Sequence, residues 1–327
     1  MMKRVIVTGA TGFVGANLTR RLLQEGHDVN VLARPGYTSW RLERIKSDVR
    51  GHQVNLEDAE GVASAVAEIR PDWIFHLAAY GAYSSQKDLR QMVNTNILGT
   101  MNLLQACLDT GFESFINTGS SSEYGFKDHA PAENEWLEPN SHYAVTKASA
   151  TQYCSYTAQQ HDLHVPTLRL YSVYGPYEEP TRLLPTLIVR GLRGELPPLV
   201  DGNVARDFVY VDDVNEAYLL AARRTDVGRG AIYNVGTGVQ TTIRGVVAAA
   251  RRLMNITAEP QWGSMPDRQW DTSVWVSNNS RLRNELHWEP QNTFEQGFRR
   301  MVEWFQQDPA MQSFYQQTLE APAGPRR

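Results

Sequence analysis

Val5-Ile6-Val7-Thr8-Gly9-Ala10-Thr11-Gly12-Phe13-Val14-Gly15 is the stretch on which the fold turns. Its first three residues are apolar and read as a buried strand. Val14, Leu18 and Leu22 then recur at helical spacing over residues 13–25. Between strand and helix stand Gly9, Gly12 and Gly15. Glycines there permit a tight turn and a close approach of backbone to a ligand. A pyrophosphate can then rest on the helix N-terminus, where unpaired N–H groups and the helix dipole favour negative charge. A glycine trio gains meaning only in this strand–turn–helix setting, and here the setting is present.

The same alternation continues outward. Strands are expected at 29–32, 73–76, 115–117 and 165–170, with helices at 62–69, 89–108 and 143–161 between them. Apolar strands alternating with helices imply a parallel sheet covered on both faces, an α/β protein with a doubly wound sheet of Rossmann type. After Gly175 the rhythm breaks: prolines crowd at 176, 180, 185, 197 and 198 around a helical stretch at 183–192. Strand-and-helix patterns return at 208–223 and 231–235. The expected organisation is a dinucleotide lobe over 1–175, rejoined by segments near 205–235. A smaller, interleaved α/β substrate lobe would occupy 176–320, and 321–327 would form a disordered tail.

Composition narrows the function. The chain has 327 residues, 42% hydrophobic and 21% charged, with a net charge of -4. That balance argues against a dedicated nucleic-acid surface. Two cysteines, Cys107 and Cys154, exclude a disulfide framework and a cysteine-based zinc site. No run approaches the roughly 18 apolar residues of a membrane span. A soluble, cytoplasmic enzyme without a metal is the expectation. His161 and His164 lack acidic or cysteine partners at metal-site spacing and are read as surface residues.

Further motifs follow in order. They are Leu77-Ala78-Ala79 after a strand, Asn94-Thr95-Asn96-Ile97-Leu98-Gly99-Thr100, Tyr143-x-x-x-Lys147, and Arg206-Asp207-Phe208-Val209-Tyr210-Val211-Asp212-Asp213-Val214. With the Gly-x-x-Gly-x-x-Gly loop, they resemble the short-chain dehydrogenase/reductase superfamily, in particular its extended branch acting on nucleotide sugars. The resemblance runs from Val5 to about Phe305. It implies cofactor contacts from Gly9, Thr11, Gly12, Phe13, Val14 and Gly15 in the loop. Asn55 and Leu56 would meet the adenine edge. Leu77, Ala78, Ala79, Asn96, Thr118, Tyr171 and Val173 would line the rest of the cofactor.

The end of the second strand bears on which cofactor is bound. An acidic residue there normally holds the ribose 2′-hydroxyl. This chain reads Val31-Leu32-Ala33-Arg34. Arg34 suits a 2′-phosphate, which favours NADP(H); an incidental surface arginine beside an NAD(H) site is the other reading.

Tyr143 and Lys147 share a helix face at four-residue spacing. A neighbouring ammonium favours the phenolate and is expected to lower the phenol's pKa from its usual value near 10. By resemblance Ser120, in Thr118-Gly119-Ser120-Ser121-Ser122-Glu123-Tyr124-Gly125, orients the reacting oxygen beside Tyr143. Relatives that dehydrate at C4–C6 carry Asp-Glu after this serine. Here Ser121 and Ser122 take those places, and Glu123, one residue on, would face away on an extended backbone. That disfavours a 4,6-dehydratase. Ser172 stands where many relatives use Asn. Arg206 and Arg268 occupy positions whose arginines grip the nucleotide diphosphate, a role suited to a planar guanidinium fork. Trp262, Trp270 and Trp275 line or fill the space between the lobes. The landmarks at Tyr233–Gly238 and Leu286–Pro290 are assigned to structure. Relatives often pair the helices at 89–108 and 143–161 in a homodimer.

The combined reading is hydride transfer at a sugar carbon, C4, of a nucleotide-diphosphate hexose. Tyr143 exchanges the proton, Lys147 tunes it and orders the ribose, and Ser120 holds the oxygen. A 4-keto reductase using NADPH is preferred to a 4-epimerase. A 4,6-dehydratase, or a nucleotide-sensing scaffold without turnover, are the alternatives.

Overall fold

The computed structural model describes residues 1–37, 39–83, 85–265 and 272–321. Arg268, Trp270 and the end of the expected tail lie outside these. The elements run β1 (Arg4–Thr8), α1 (Phe13–Gln24), β2 (Asp28–Ala33), β3 (Arg50–Gln53), α2 (Ala59–Ile69), β4 (Trp73–His76), α3 (Leu89–Val93), α4 (Gly99–Thr110), β5 (Ser114–Ser120), α5 (His142–Gln160) and β6 (Thr167–Leu170). There follow β7 (Ser172–Tyr174), α6 (Leu183–Gly191), β8 (Ala205–Tyr210), α7 (Val211–Arg223), β9 (Ile232–Val235), β10 (Gln240–Thr242), α8 (Ile243–Met254), α9 (Ser280–Leu286), α10 (Phe294–Gln307) and α11 (Pro309–Glu320).

Seven strands form one sheet in the order β3-β2-β1-β4-β5-β6-β9, all neighbours parallel. This is the doubly wound order, with its reversal between β1 and β4. Pleating sends Val5 and Val7 to one face, where α1 and α7 add Leu18, Leu22, Val214 and Tyr218. Ile6 goes to the other, with Val62 and Val66 of α2 and Leu103 and Leu104 of α4. A second sheet, β10-β8-β7, lies under its own cluster from α6, α8, α10 and α11. Trp288, 1% exposed, closes the first cluster and donates its indole N–H to the Asp213 carbonyl at 2.8 Å.

Three local expectations are corrected, and one strand, β3, is unanticipated. Residues 89–108 do not form one α-helix; a wide π turn over Asn94–Leu98 separates α3 from α4. Such turns redirect side chains, and here Asn96 is turned inward. β3, whose Arg-Gly-His-Gln has no apolar pattern, forms as an edge strand through its ladder with β2. Ser121–Tyr124 is a 3-10 turn rather than extended chain, so Glu123 faces the interior. His161 is exposed, but His164 is buried; its Nε2 bonds the Ala221 carbonyl at 2.7 Å, while its Nδ1 is buried without a partner. None of the described helices is long and apolar enough to cross a membrane.

Candidate active site

Register places the carboxyl ends of four strands side by side. Thr8 pairs with His76, His76 with Asn117, and Ser120 with Leu170. The glycine loop and Leu77–Ala79 therefore leave the sheet at the same edge as Ser120 and Tyr171. In open α/β sheets this edge, at the strand-order reversal, is the ligand side.

The loop needs its glycines for space. Gly9 has φ +69°, and a Cβ there would lie 2.5 Å from the Leu77 carbonyl carbon. A Cβ on Gly15 would lie 2.2 Å from the Gly9 oxygen, so only glycine lets α1 start this close to β1. Gly12 caps α1 with no side-chain acceptor, and no acidic residue sits in the first turn. The N–H groups of Phe13, Val14 and Gly15 in the first turn are thus left to an anion, and the cradle fits a dinucleotide pyrophosphate. Thr11 holds the loop to the following segment: its carbonyl accepts from the Ser39 hydroxyl at 3.1 Å. Beyond the crevice Arg34 is exposed, its guanidinium 5.9 Å from the centre of the Tyr37 ring, and Ala33 ends β2. Asn55 accepts from the Glu57 N–H at 3.3 Å, while Leu56 is buried against Gly99.

Ser120 closes β5, and Tyr143 and Lys147 occupy the first turns of α5. Ser141 caps that helix by accepting from the Ala144 N–H. The Ser120 hydroxyl lies beside the Tyr143 phenol and 2.7 Å from the Ser122 hydroxyl. The three residues thus converge where the strand ends meet the crevice.

Their electrostatics differ from the simple expectation. Burial, reinforced by the Glu123 carboxylate, pushes Tyr143 up to about 12 against the opposing influence of Ser120. Burial lowers Lys147, with Glu123 opposing it. The expected depression of the phenol by the ammonium is thus outweighed by desolvation in the free protein.

The supporting shell is assembled from distant parts of the chain. Asn96, 1% exposed, gives one amide proton to the Tyr80 carbonyl at 2.8 Å and the other to the Thr146 hydroxyl at 2.9 Å. Its oxygen accepts from the Tyr80 N–H. Asn96 therefore ties the loop after β4 to α5, and its amide protons are spent within the protein rather than on a cofactor. His76 bridges the Thr8 and Thr100 hydroxyls at 2.8 Å each, and burial pushes it down to about 3. Thr118 bonds the Tyr218 hydroxyl at 2.7 Å.

Across the crevice, Trp275 donates its indole N–H to the Ser121 hydroxyl at 3.2 Å, and the Arg206 guanidinium stands 5.4 Å from its ring. Arg206 also donates to the Ala205 carbonyl. Tyr171 and Trp275 line a small cavity with Ser121, and the Tyr171 hydroxyl is buried without a partner. Ser172 and Val173, both half-buried, begin the strand that leaves this wall.

Three features escape sequence reading. Glu123 is fully buried, clasping Arg169 at 2.8 Å. Glu178, buried with its Oε2 unpartnered, is pushed up to about 8 by desolvation. Tyr83 and Arg182 both act on Tyr143. Tyr177 at this wall holds a φ of +66°, which side chains rarely adopt, and these features depend on contacts far apart in the chain. No group of His, Cys, Asp and Glu able to hold a metal occurs among the described residues.

Comparison with known proteins agrees with this architecture. The model of the NAD dependent epimerase/dehydratase family matches residues 5–236. A UDP-glucose 4-epimerase of Mycolicibacterium smegmatis is 31% identical over 313 residues, covering 92% of this chain and 98% of that protein. A dTDP-glucose 4,6-dehydratase of Streptomyces griseus is 31% identical, covering 93% of this chain and 94% of that protein. The UDP-glucose 4-epimerase of Thermus thermophilus, solved with NAD, superimposes with a TM-score of 0.81 at 32% identity, covering 93% of this chain and 99% of that one. With its Rossmann-like sheet, its glycine cradle and these relatives, the chain belongs to the NAD-dependent epimerase/dehydratase family, enzymes of the extended short-chain dehydrogenase/reductase type.

Proposed function

We propose that this protein moves a hydride to or from C4 of a nucleotide-diphosphate hexose, acting as a 4-keto reductase with NADPH. The observation that carries the chemistry is the placement of Ser120, at the end of β5, beside the buried Tyr143 phenol, with buried Lys147 one turn along the same helix. A bound nicotinamide supplies or accepts the hydride. Tyr143 then gives its phenolic proton to the developing alkoxide, or takes one from a hydroxyl in the reverse direction. Ser120 holds that oxygen in line, and Lys147 favours the phenolate once both are enclosed with ligand. Arg206, and Arg268 by its place in the sequence, are the proposed grips on the diphosphate.

Position C4 draws support from the relatives, among them 4-epimerases near 30% identity. The lean to NADPH rests on Ala33 and exposed Arg34 at the end of β2, which leave no acid to hold a ribose 2′-hydroxyl. A 4-epimerase with NAD is the second reading, favoured by those same relatives. A 4,6-dehydratase is disfavoured because Ser121 and Ser122 carry no carboxylate, and Glu123 is committed to Arg169 and the Ser120 N–H.

We place the enzyme in the cytoplasm, as two lobes closing on the crevice, and as a homodimer. Exposed Leu89, Val93 and Leu98 lie along α3 and the π turn, with Val145 and Tyr156 on α5. Light scattering after gel filtration tests the dimer. Incubation with a panel of nucleotide sugars, following reduced-nicotinamide absorbance and product sugars, tests the reaction. Net NADPH loss with a 4-keto sugar is expected; interconversion of sugars without net loss would establish the epimerase instead.

A further inference from the structure

We propose that Glu123 is a positioning residue for Ser120 and Lys147, fastening the end of β5 to the catalytic helix and to β6 through one buried carboxylate. The inference rests on the reading of Ser120, Tyr143 and Lys147 as the reacting constellation. Glu123 follows Ser120 by three residues and is fully buried. Its Oε1 accepts from the Ser120 N–H at 2.8 Å and from the Thr151 hydroxyl at 3.1 Å. Thr151 lies one helical turn beyond Lys147 on α5. Its Oε2 accepts from the Arg169 Nε at 2.8 Å, in β6. Arg169, 1% exposed, continues to the Tyr124 hydroxyl at 2.8 Å and the Glu133 carbonyl at 3.2 Å. Tyr124 in turn donates to the Asn234 carboxamide on β9 at 2.8 Å. One carboxylate thus joins the three elements that carry the site, and a hydrogen-bonded network extends the join to a fourth.

The site makes strict demands on this join. Ser120 ends its strand and enters a 3-10 turn, where only the Glu123 carboxylate fixes its N–H. A misplaced hydroxyl loses its alignment with Tyr143, and small displacements of positioned groups are costly to rate. The network is also fully paired at Glu123, as a buried charge requires.

Charge gives the test its signature. The groups acting on Tyr143 are Glu123 and Ser120 from β5 and its turn, Tyr83 from the loop after β4, and Arg182 at the start of α6; Tyr218 on α7 is its neighbour. Those acting on or beside Lys147 are Glu123, Cys154 on α5 and His76 on β4. A negative charge here raises both the phenol and the ammonium. Removing it lowers both, so both limbs of a pH–rate profile move to lower pH. Loosened packing alone has no reason to do this.

The experiment compares wild type with Glu123→Gln and with Glu123→Gln/Arg169→Met, which removes the ion pair as a unit and strands no charge. The substrate is a nucleotide sugar that the wild type turns over, assayed in the direction that reduces the cofactor. The expected result is a kcat about tenfold lower, with both limbs shifted down by about half a pH unit or more. The paired variant melts close to wild type. A profile that stays in place, with turnover falling only in step with melting temperature, overturns the proposal. If the wild type turns over no nucleotide sugar, the catalytic reading fails on its own account. Glu123 is then judged by ultraviolet titration of Tyr143 in cofactor-saturated protein, taken as wild type minus Tyr143→Phe. A lower midpoint in Glu123→Gln supports the proposal, and an unchanged one overturns it.

Discussion

The crevice between β1 and β4 and the wall facing it are held in place by different means. The crevice is a product of backbone: strand register sets its edge, and Gly9 and Gly15 leave the room that neighbouring backbone occupies. The wall is a product of side chains. Trp275 reaches Ser121 across 154 positions of sequence, and Arg41, 6% exposed, joins the Tyr177 carbonyl at 2.7 Å and Glu179 at 3.0 Å. An added Cβ at Gly9 or Gly15 would therefore collide with backbone on the crevice side. A backbone cradle suits a ligand part common to many enzymes, whereas side-chain contacts can be re-cut for each sugar.

Substitutions can break this contrast, and the largest effect belongs where the two sides meet. Tyr143→Phe is expected to lower kcat by about 10²- to 10⁴-fold, with melting temperature and cofactor affinity retained. Loss of cofactor binding in that variant would place Tyr143 in the cradle rather than at the reaction. Next comes Gly15→Val. Its Cβ meets backbone at 2.2 Å, so the strain of about 1–3 kcal/mol typical of overpacking is a lower bound. Fluorescence titration with reduced cofactor should show at least about tenfold weaker binding.

Arg34→Ala should weaken NADPH by about tenfold, the worth of one charge-assisted hydrogen-bonded contact, and leave NADH unchanged. Equal loss for both cofactors would remove the basis for preferring NADPH. Trp275→Ala should raise KM for the sugar nucleotide several-fold, about 1 kcal/mol for its bond to Ser121, without changing KM for cofactor. A matching change in both constants would show that the two sides are not independently built.

A separate effect is on stability, where the two regions should respond to pH with opposite sign. His76, on the crevice side, sits at about 3 when folded against 6.5 as its ordinary value. Folding then releases a proton. His76 contributes stability above pH 6.5 that is lost as pH falls toward 3. Glu178, on the wall, is raised from 4.5 to about 8. It stays protonated when folded, so stability falls as pH rises through that window. Urea midpoints should show His76→Gln flattening the acid side and Glu178→Gln flattening the alkaline side. The same slope change from both would refute the assignment.

How much of this is legible in sequence differs between the two regions for the same reason. β1, the glycine loop and α1 are adjacent in the chain, and their pattern can be read without knowing what packs on them. Tyr143 and Lys147 are readable because a helix returns every 3.6 residues to one face. β3 is not readable, since its three polar residues and a glycine take strand form only from the ladder offered by β2. The π turn at Asn94–Leu98 is equally hidden: the amide of Asn96 finds Tyr80 and Thr146 only once both are in place.

By itself, the sequence determined the doubly wound sheet, the position of the dinucleotide cradle and the helix face shared by Tyr143 and Lys147. Each follows from a short-range period or from the steric freedom of glycine. Tertiary structure alone decided which polar groups are buried and what they meet. It turned Glu123 inward onto Arg169, 46 residues away. It drove Tyr143 up to about 12 where neighbouring residues suggested the opposite. It also set Trp275 against Ser121. The physical reason is that desolvation and pairing depend on everything surrounding a group in space, and most of what surrounds these groups comes from other parts of the chain.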